Sequence, residues 1–363
     1  MESSAPSRKA PRRWLVFLAT TAAVLLVAEL GLRVYLFALA PEEKRVKYAR
    51  PHDLPLERSK YVPHPYLSYA LNPSYRSQDG QNRHNALGFR GAEFALAKAS
   101  GAYRIACVGG STVYDTEIQD HRASFPAQLE NCLRERGHPE VEVVNAGVGG
   151  YTSFETLIDL ALRVLEVAPD LLVIYHNTND VHARLVPPDA FRCDNSGYRH
   201  EWWSRDPWWD HALFLRYLGV QWGFSPRNTL EQHTKVLHDE GRDFAACIQG
   251  NGTGYFARNT AQMIALVRAR GTQVMLTSFA SCPARGGYAA ESHYRRGFAE
   301  NDAAMRELSG RLDVPFYDFA AEMPGDLEYW ADGVHNTAAG ARKKAELFAA
   351  FVAGHFLSPA QDG

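Results

Sequence analysis

The chain opens on a long apolar run, Trp14 to Ala40, and later settles into an alternation of short apolar segments and amphipathic ones. Five short runs read as buried strands: 104–108, 141–145, Asp170 to Tyr175, Thr272 to Phe279 and Pro315 to Phe319. Between and after them, apolar positions recur at helical spacing near 122–136, 153–167, 255–270, 290–310 and from Thr337 to Phe356. Strands separated by helices of this size predict βαβ units, a parallel sheet and an α/β fold. Right-handed crossovers then bring the C-terminal ends of the strands to one edge, where open α/β sheets bind their ligands.

The rhythm fails in two places. Residues 41–100, rich in Pro, Tyr, Arg and Asn, show no sustained helical period, and their aromatics and aliphatics are too numerous for a disordered tether. This lead-in is expected to form strands and turns packed on the core. Within it, His84 and Arg90 are either surface or packing residues or groups that reach the active site. Residues 181–254 interrupt the core and carry Trp202, Trp203, Trp208, Trp209 and Trp222, five of the seven tryptophans. Following Asn179 directly, this insertion is placed either to wall the active site, its indoles stacking on sugars or settling at a membrane interface, or to form a small apolar core of its own.

Charge sharpens the reading of the first run. Arg8, Lys9, Arg12 and Arg13 precede it, and a helix of its length exceeds the ~30 Å hydrocarbon core at ~1.5 Å per residue. Basic residues stay on the cytoplasmic side, so everything after Pro41 is expected outside. Glu29 and Arg33 lie four apart and can pair on one face of the helix. Ala38-Leu39-Ala40 resembles a signal-peptide cleavage site, but the length of the run and Pro41 favour an uncleaved anchor. The chain is thus divided into a cytoplasmic basic segment (1–13), a transmembrane anchor (14–40), the lead-in (41–100) and a catalytic domain (101–358).

Elsewhere the balance is nearly neutral, 39 Lys and Arg against 41 Asp and Glu in 363 residues, and the scattered basic residues argue against a nucleic-acid surface. Of five cysteines, Cys107 and Cys132 fall in a strand and a helix and read as buried thiols. Cys193, Cys247 and Cys282 fall in loop-like stretches, and a Cys193–Cys247 bridge suits an oxidising compartment. No Cys-x-x-Cys pair occurs, and His176 and His182 have no usual ligand spacing, so no metal and no cofactor is expected.

The candidate chemistry lies in two strings far apart in sequence. Gly109-Gly110-Ser111-Thr112 follows the first core strand and puts a hydroxyl on a tight turn; Asp332-Gly333-Val334-His335 precedes the last helix and offers a base with a carboxylate three residues away. Two further strand ends supply donors for an oxyanion: Gly150 within 145–153, and Asn179 within 176–180. The donor set is then the Ser111 N–H, the Gly150 N–H and the Asn179 amide.

Ser111, Gly150, Asn179 and His335, in this order and with Asp332 as the acid, resemble the four signature residues of the SGNH (GDSL-type) hydrolase superfamily over roughly residues 103–356. The resemblance implies a flavodoxin-like three-layer sandwich with a central parallel sheet, and hydrolysis or transfer of acyl groups on lipids, carbohydrates or small esters. Two positions depart from the pattern: Gly110 stands where the family's Asp usually sits, and Asn177 replaces a Gly. Tyr114, Asp115, His176, Trp202 and Trp203 are candidates for substrate contact, with helix initiation the alternative for Tyr114 and Asp115. The expectation is a membrane-anchored, extracytoplasmic serine esterase that removes acetyl or other short acyl groups, with an acylated glycan as one substrate. An O-acyltransferase on an exported polysaccharide and a non-catalytic glycan-binding protein are the alternatives. Oligomeric state is not legible.

Overall fold

The structure, a computed structural model, describes residues 10–50, 60–62, 64–199, 208–225 and 241–357. These form two compact units: 10–50 with 208–225, and the remainder. The elements in chain order are α1 (Ala10–Val34), α2 (Glu42–Tyr48), β1 (Tyr61–Val62), β2 (Ala70–Leu71), β3 (Tyr103–Gly109), α3 (Ser111–Tyr114), α4 (Phe125–Glu135), β4 (Val141–Gly147), α5 (Ser153–Leu162), β5 (Leu171–Tyr175), α6 (Thr178–Ala183), α7 (Leu213–Trp222), α8 (Phe244–Gly250), α9 (Gly254–Arg268), β6 (Gln273–Thr277), α10 (Ser292–Leu312), β7 (Phe316–Tyr317), α11 (Phe319–Glu322) and α12 (Ala338–Phe356).

In the larger unit, five parallel strands run in the order β4-β3-β5-β6-β7. Because both faces are covered, β3 and β5 are apolar at nearly every position rather than at every second one. Ile105, Cys107, Leu171, Val173 and Tyr175 face one layer with Phe125, Leu129 and Leu133 of α4 and Ala345, Phe348 and Val352 of α12. Ala106, Val108, Leu172 and Ile174 face the other, with Leu160 of α5, Met263, Ile264 and Val267 of α9, and Met305 and Leu308 of α10. Period-two alternation thus divides one continuous apolar run between two cores.

Helix starts follow local chemistry. Thr152 and Glu155 form a capping box on α5, the Thr152 Oγ1 accepting from Phe154 N while Glu155 accepts from Thr152 N at 2.8 Å. Thr337 caps α12 by accepting from Gly340 N at 3.1 Å. The expected helix at 122–136 is two pieces, a 3-10 turn at His121–Ala123 and then α4, because Pro126 takes a first-turn position and restarts the helix there.

The smaller unit holds α1, α2 and α7. Residues Arg13–Leu39 are long and apolar enough to cross a membrane, with mean hydropathy 2.2. Arg33 Nε donates to Glu29 Oε1 at 2.7 Å, the pairing expected from their spacing. Two features differ from the expected domain division. Residues 41–50 belong with α1 rather than with the lead-in, whose described residues from 60 onward belong to the sheet unit. The insertion is also not one body: 208–225 packs with α1, whereas 184–186 and 251 are joined in the sheet unit, where Asn251 Nδ2 donates to the carbonyls of Arg184 and Val186 at 2.8 Å. Trp208, Trp209 and Trp222 therefore lie in the α1 unit. Trp202 and Trp203 lie outside the described residues.

The cysteine bridge is also corrected. All five cysteines are free; Cys247 sits on α8 with its side chain turned inward, while Cys193 is exposed. Cys282 is buried in the core as well.

Phe348 is fully buried, with ring centroids 4.8 Å from Phe125, 4.9 Å from Phe319 and 5.2 Å from Tyr317. Phe348→Ala is expected to cost about 3–5 kcal/mol of stability, measured by urea unfolding, since a rigid aromatic cluster cannot collapse into the space left.

Candidate active site

Three neighbouring strands, β4, β3 and β5, end level with one another: Gly109 pairs with Gly147 on one side and Tyr175 on the other. The loops after them therefore leave the sheet side by side. Ser111 begins α3, a single turn whose other residues, Thr112, Val113 and Tyr114, are buried. Asp115 ends it with φ +61°, a left-handed conformation that Asp tolerates better than most residues. The turn leaves Ser111 partly exposed above buried neighbours.

His335 arrives from the loop before α12, and its local geometry is set by Asp332. Asp332 Oδ1 accepts from the backbone N–H of Val334 at 2.7 Å and of His335 at 2.8 Å. Its other oxygen lies 2.8 Å from His335 Nδ1, and His335 Nε2 lies 2.8 Å from Ser111 Oγ, 224 positions away in sequence. The arrangement fits an Nδ1–H donating to Asp332 and an Nε2 accepting from the Ser111 hydroxyl. Burial pushes the Asp332 carboxyl up, but His335 and the two backbone donors outweigh it and hold the group down at about 2. Asp332 is therefore an anion throughout the working range of any imidazole base.

The expected oxyanion donors lie on the neighbouring loops. Gly150 has φ +81°, a conformation open to glycine at little cost, and it is partly exposed. Asn179 Nδ2 donates to Tyr151 O at 2.8 Å, which uses one of its two N–H groups and fixes the amide plane. The Gly150 loop is itself held: Arg199 donates to Gly150 O and pairs with the buried Glu155 at 2.7 Å, and Tyr69 Oη donates to Gly149 O at 2.7 Å.

Several candidates for substrate contact prove to be supports instead. Tyr114 and Asp115 are buried, so neither meets a substrate. Tyr114 is enclosed by the lead-in: its hydroxyl lies 2.9 Å from His84 Nε2, and the Arg90 guanidinium lies 4.7 Å from its ring centroid. Asp115 accepts from Phe125 N, joining α3 to α4. His176 is likewise buried, 2.9 Å from Thr156 Oγ1 and 3.5 Å from Asp180, so it packs β5 against α5.

The spacing of residues gave no sign of what surrounds α3. His84 and Arg90 are buried, not on the surface. Arg90 donates to the carbonyls of Tyr114, Asp115 (2.9 Å), Ile118 and Gln119 (3.4 Å), while its Nε donates to Asn82 Oδ1 at 2.9 Å. One guanidinium thus satisfies four backbone acceptors just after the serine turn. Burial pushes the His84 imidazole down to about 3, so it is neutral against Tyr114. From the opposite side, the buried Lys344 of α12 donates to Thr112 O at 3.0 Å and lies 3.7 Å from the Tyr175 ring centroid. Burial pushes this ammonium down to about 8, with the Asp115 charge opposing. Lys344 had a sequence signal: it falls on the apolar stripe of α12, between Ala341 and Phe348.

Among the described residues, Glu117, Asp332 and His335 have side-chain ligand atoms within 4.8 Å of one another. Two of the three are already bonded to each other, and Glu117 is exposed, so a cation there would compete with the Asp332–His335 hydrogen bond.

The model of the GDSL-like lipase/acylhydrolase family matches residues 107–343 of the chain. The chain belongs to this family. No curated protein matches it. Solved structures similar to it include the lipase/acylhydrolase from Enterococcus faecalis (18% identity, covering 71% of this chain and 99% of that one, TM-score 0.45). Another is a GDSL-like lipase from Bacteroides thetaiotaomicron (17% identity, 72% and 91%, TM-score 0.39).

The two departures from the GDSL pattern have local reasons. A Cβ on Gly110 would lie 2.4 Å from Asn179 Nδ2, so a side chain there displaces that amide. Asn177 ties the Asn179 loop to α10: its Nδ2 donates to Phe298 O at 3.1 Å and Asp302 Oδ1 at 3.0 Å, and its Oδ1 accepts from Asn301 at 2.9 Å.

Gly110→Ala is expected to leave the fold intact and to lower kcat by about two powers of ten, since losing one preorganised donor costs that much; steady-state kinetics with a chromogenic ester checks it. Burial also pushes the Asp302 carboxyl up to about 7, against its hydrogen bonds from Phe279 and Asn177. The folded state therefore keeps a proton that the unfolded chain loses near its ordinary value of 3.8, so this contribution to stability is full below that pH and is lost as pH rises toward 7. Asp302→Asn retains the acceptor and removes the titration. Its stability relative to wild type should improve steadily between about pH 4 and about pH 7 and then level off, in urea unfolding.

Proposed function

We propose that this GDSL-like protein is a membrane-anchored serine esterase acting outside the cytoplasm on short acyl esters, with an acylated glycan as its natural substrate. The observation that carries the reading is the unbroken line of hydrogen bonds Ser111 Oγ, His335, Asp332, with 2.8 Å at each step. In the first step His335 takes the Ser111 proton as Oγ attacks the ester carbonyl carbon. The carbonyl oxygen becomes an oxyanion that accepts from the Ser111 N–H, the Gly150 N–H and the remaining N–H of Asn179. Collapse of this intermediate breaks the bond to the alkoxide, which leaves with the proton from His335. Water, deprotonated by the same imidazole, then releases the acyl group and restores Ser111. Asp332 holds the Nδ1–H tautomer and stabilises the imidazolium in both halves.

The glycan part of the reading rests on the proposed location and on the polar rim. The exposed Glu117 and the part-exposed Asp332 carboxylate offer acceptors to a polyhydroxylated alcohol around a partly exposed Ser111. The same acyl-enzyme transfers its group if an acceptor hydroxyl outcompetes water, so product analysis with an added acceptor separates esterase from transferase. The anchor reading rests on the 27-residue apolar helix and the basic residues before it, which favour a cytoplasmic N-terminus.

A fluorophosphonate probe should label the full chain in detergent and fail to label Ser111→Ala. Turnover of p-nitrophenyl acetate should fall on the order of 10⁶-fold in Ser111→Ala and by about two to three powers of ten in Asn179→Ala. Equal labelling of wild type and Ser111→Ala contradicts the proposal. Faster turnover of long-chain than of acetyl esters contradicts its substrate class.

A further inference from the structure

The α1 unit carries a face that the chemistry above leaves unused. The α7 helix is apolar on two sides. Its inner stripe, Leu213 and Val220, is buried against Leu36, Ala40 and Tyr48. Its outer stripe, Leu215, Leu218 and Trp222, follows i, i+3, i+7 spacing; Leu218 is half-buried, while Leu215 is 36% and Trp222 66% exposed. The flanking Trp208 and Phe224 are 76% and 73% exposed. Between residues 212 and 225 the one charged side chain is Arg216, and it is buried, pairing with Asp210 at 2.7 Å and donating to Tyr48 O at 2.9 Å. A helix that is apolar all round belongs in a core or in lipid, and one side of α7 has no core.

The position of α7 along α1 says which surroundings fit. Glu29 caps the start of α7, its carboxylate accepting from Leu213 N at 3.1 Å and Phe214 N at 2.7 Å. Glu29 lies sixteen residues beyond Arg13, about 24 Å along a helix rising ~1.5 Å per residue. With the basic residues at one boundary of a ~30 Å hydrocarbon layer, Glu29 and α7 reach the opposite boundary. The burial of α1 follows suit: residues 13–27 are exposed throughout, and cover begins only at Ala28. Trp and amphipathic helices settle at that depth, where the indole ring is buried and its N–H stays wet.

We propose that α7 with Trp208, Trp222 and Phe224 is a second membrane contact, lying in the lipid interface on the side of the bilayer opposite the basic N-terminal segment. The inference rests on the proposed spanning role of α1. Its chemical partner is the headgroup-to-acyl boundary of a phospholipid bilayer.

The test uses the full chain in phosphatidylcholine vesicles, with and without lipids brominated near the headgroup end of the acyl chains. The comparison is wild type against Trp208→Phe/Trp222→Phe, a conservative pair that keeps the apolar face. The lipid-quenchable emission of wild type should fall by the share contributed by two of the seven tryptophans. Emission quenched by aqueous acrylamide should stay unchanged. Bromolipid quenching equal in the two proteins overturns the proposal, as does acrylamide quenching that drops in the variant. Indoles shielded from both quenchers, with cross-links between copies, assign the face to a second copy and overturn it too. Alkaline carbonate extraction separates the two readings: release of the wild type from the vesicles defeats the anchor itself, whereas retention without a bromolipid difference defeats only the placement of α7.

Discussion

The serine turn is held between two buried cations, and the geometry of the proposed site depends on that grip. Lys344 pulls on the carbonyl of Thr112 from α12, within an aromatic surround of Tyr175 and Phe125. Arg90 pulls on the carbonyls of Tyr114, Asp115, Ile118 and Gln119 from the lead-in. A four-residue helix has too few internal hydrogen bonds to define itself. These external donors replace what it lacks. Burying two cations costs desolvation energy unless they are paired and fully bonded. Here the buried Asp115 supplies a nearby negative charge and the backbone carbonyls supply the acceptors. Lys344 also belongs to the helix that follows His335 directly, so one side chain links the two halves of the Ser111–His335 hydrogen bond.

The loops that carry the expected oxyanion donors are tied in the same manner, by polar groups buried behind them. Arg199 and Glu155 stand behind Gly150, while Asp302 and Asn301 stand behind Asn177. Each loop is thus pinned from within, and the residues facing solvent are left with unspent hydrogen-bonding capacity. Preorganisation of this kind lets dipoles act on a developing charge without first reorienting.

Much of this was legible along the chain, and the reason lies in periodicity. Buried parallel strands announce themselves as short apolar runs, and Ser111 and Asn179 each follow such a run, while His335 precedes the last apolar helix. Their convergence at one edge follows from right-handed crossovers alone. What was not legible is which way a side chain turns once the chain leaves the sheet. Tyr114 and Asp115 lie next to the serine in sequence yet are buried, against the lead-in and the start of α4 respectively, because a single helical turn presents only its first residue outward. Arg90 and His84 carried no spacing signal, since their partners are carbonyls and a phenol reached through tertiary folding. The same holds for residues 208–225 of the tryptophan-rich insertion, which pack with an apolar helix almost two hundred positions earlier; no local pattern encodes that pairing.

The lead-in has a further meaning for what counts as the enzyme. Family resemblance begins at residue 107, but the guanidinium that finishes the serine turn comes from residue 90, and the phenol that steadies the Gly149 carbonyl comes from residue 69. A portable catalytic module excised at the border of recurrence would carry every reacting group and leave behind the scaffolding that keeps them in register. Loss of the upstream stretch would therefore loosen the proposed site without touching a single one of its reacting atoms.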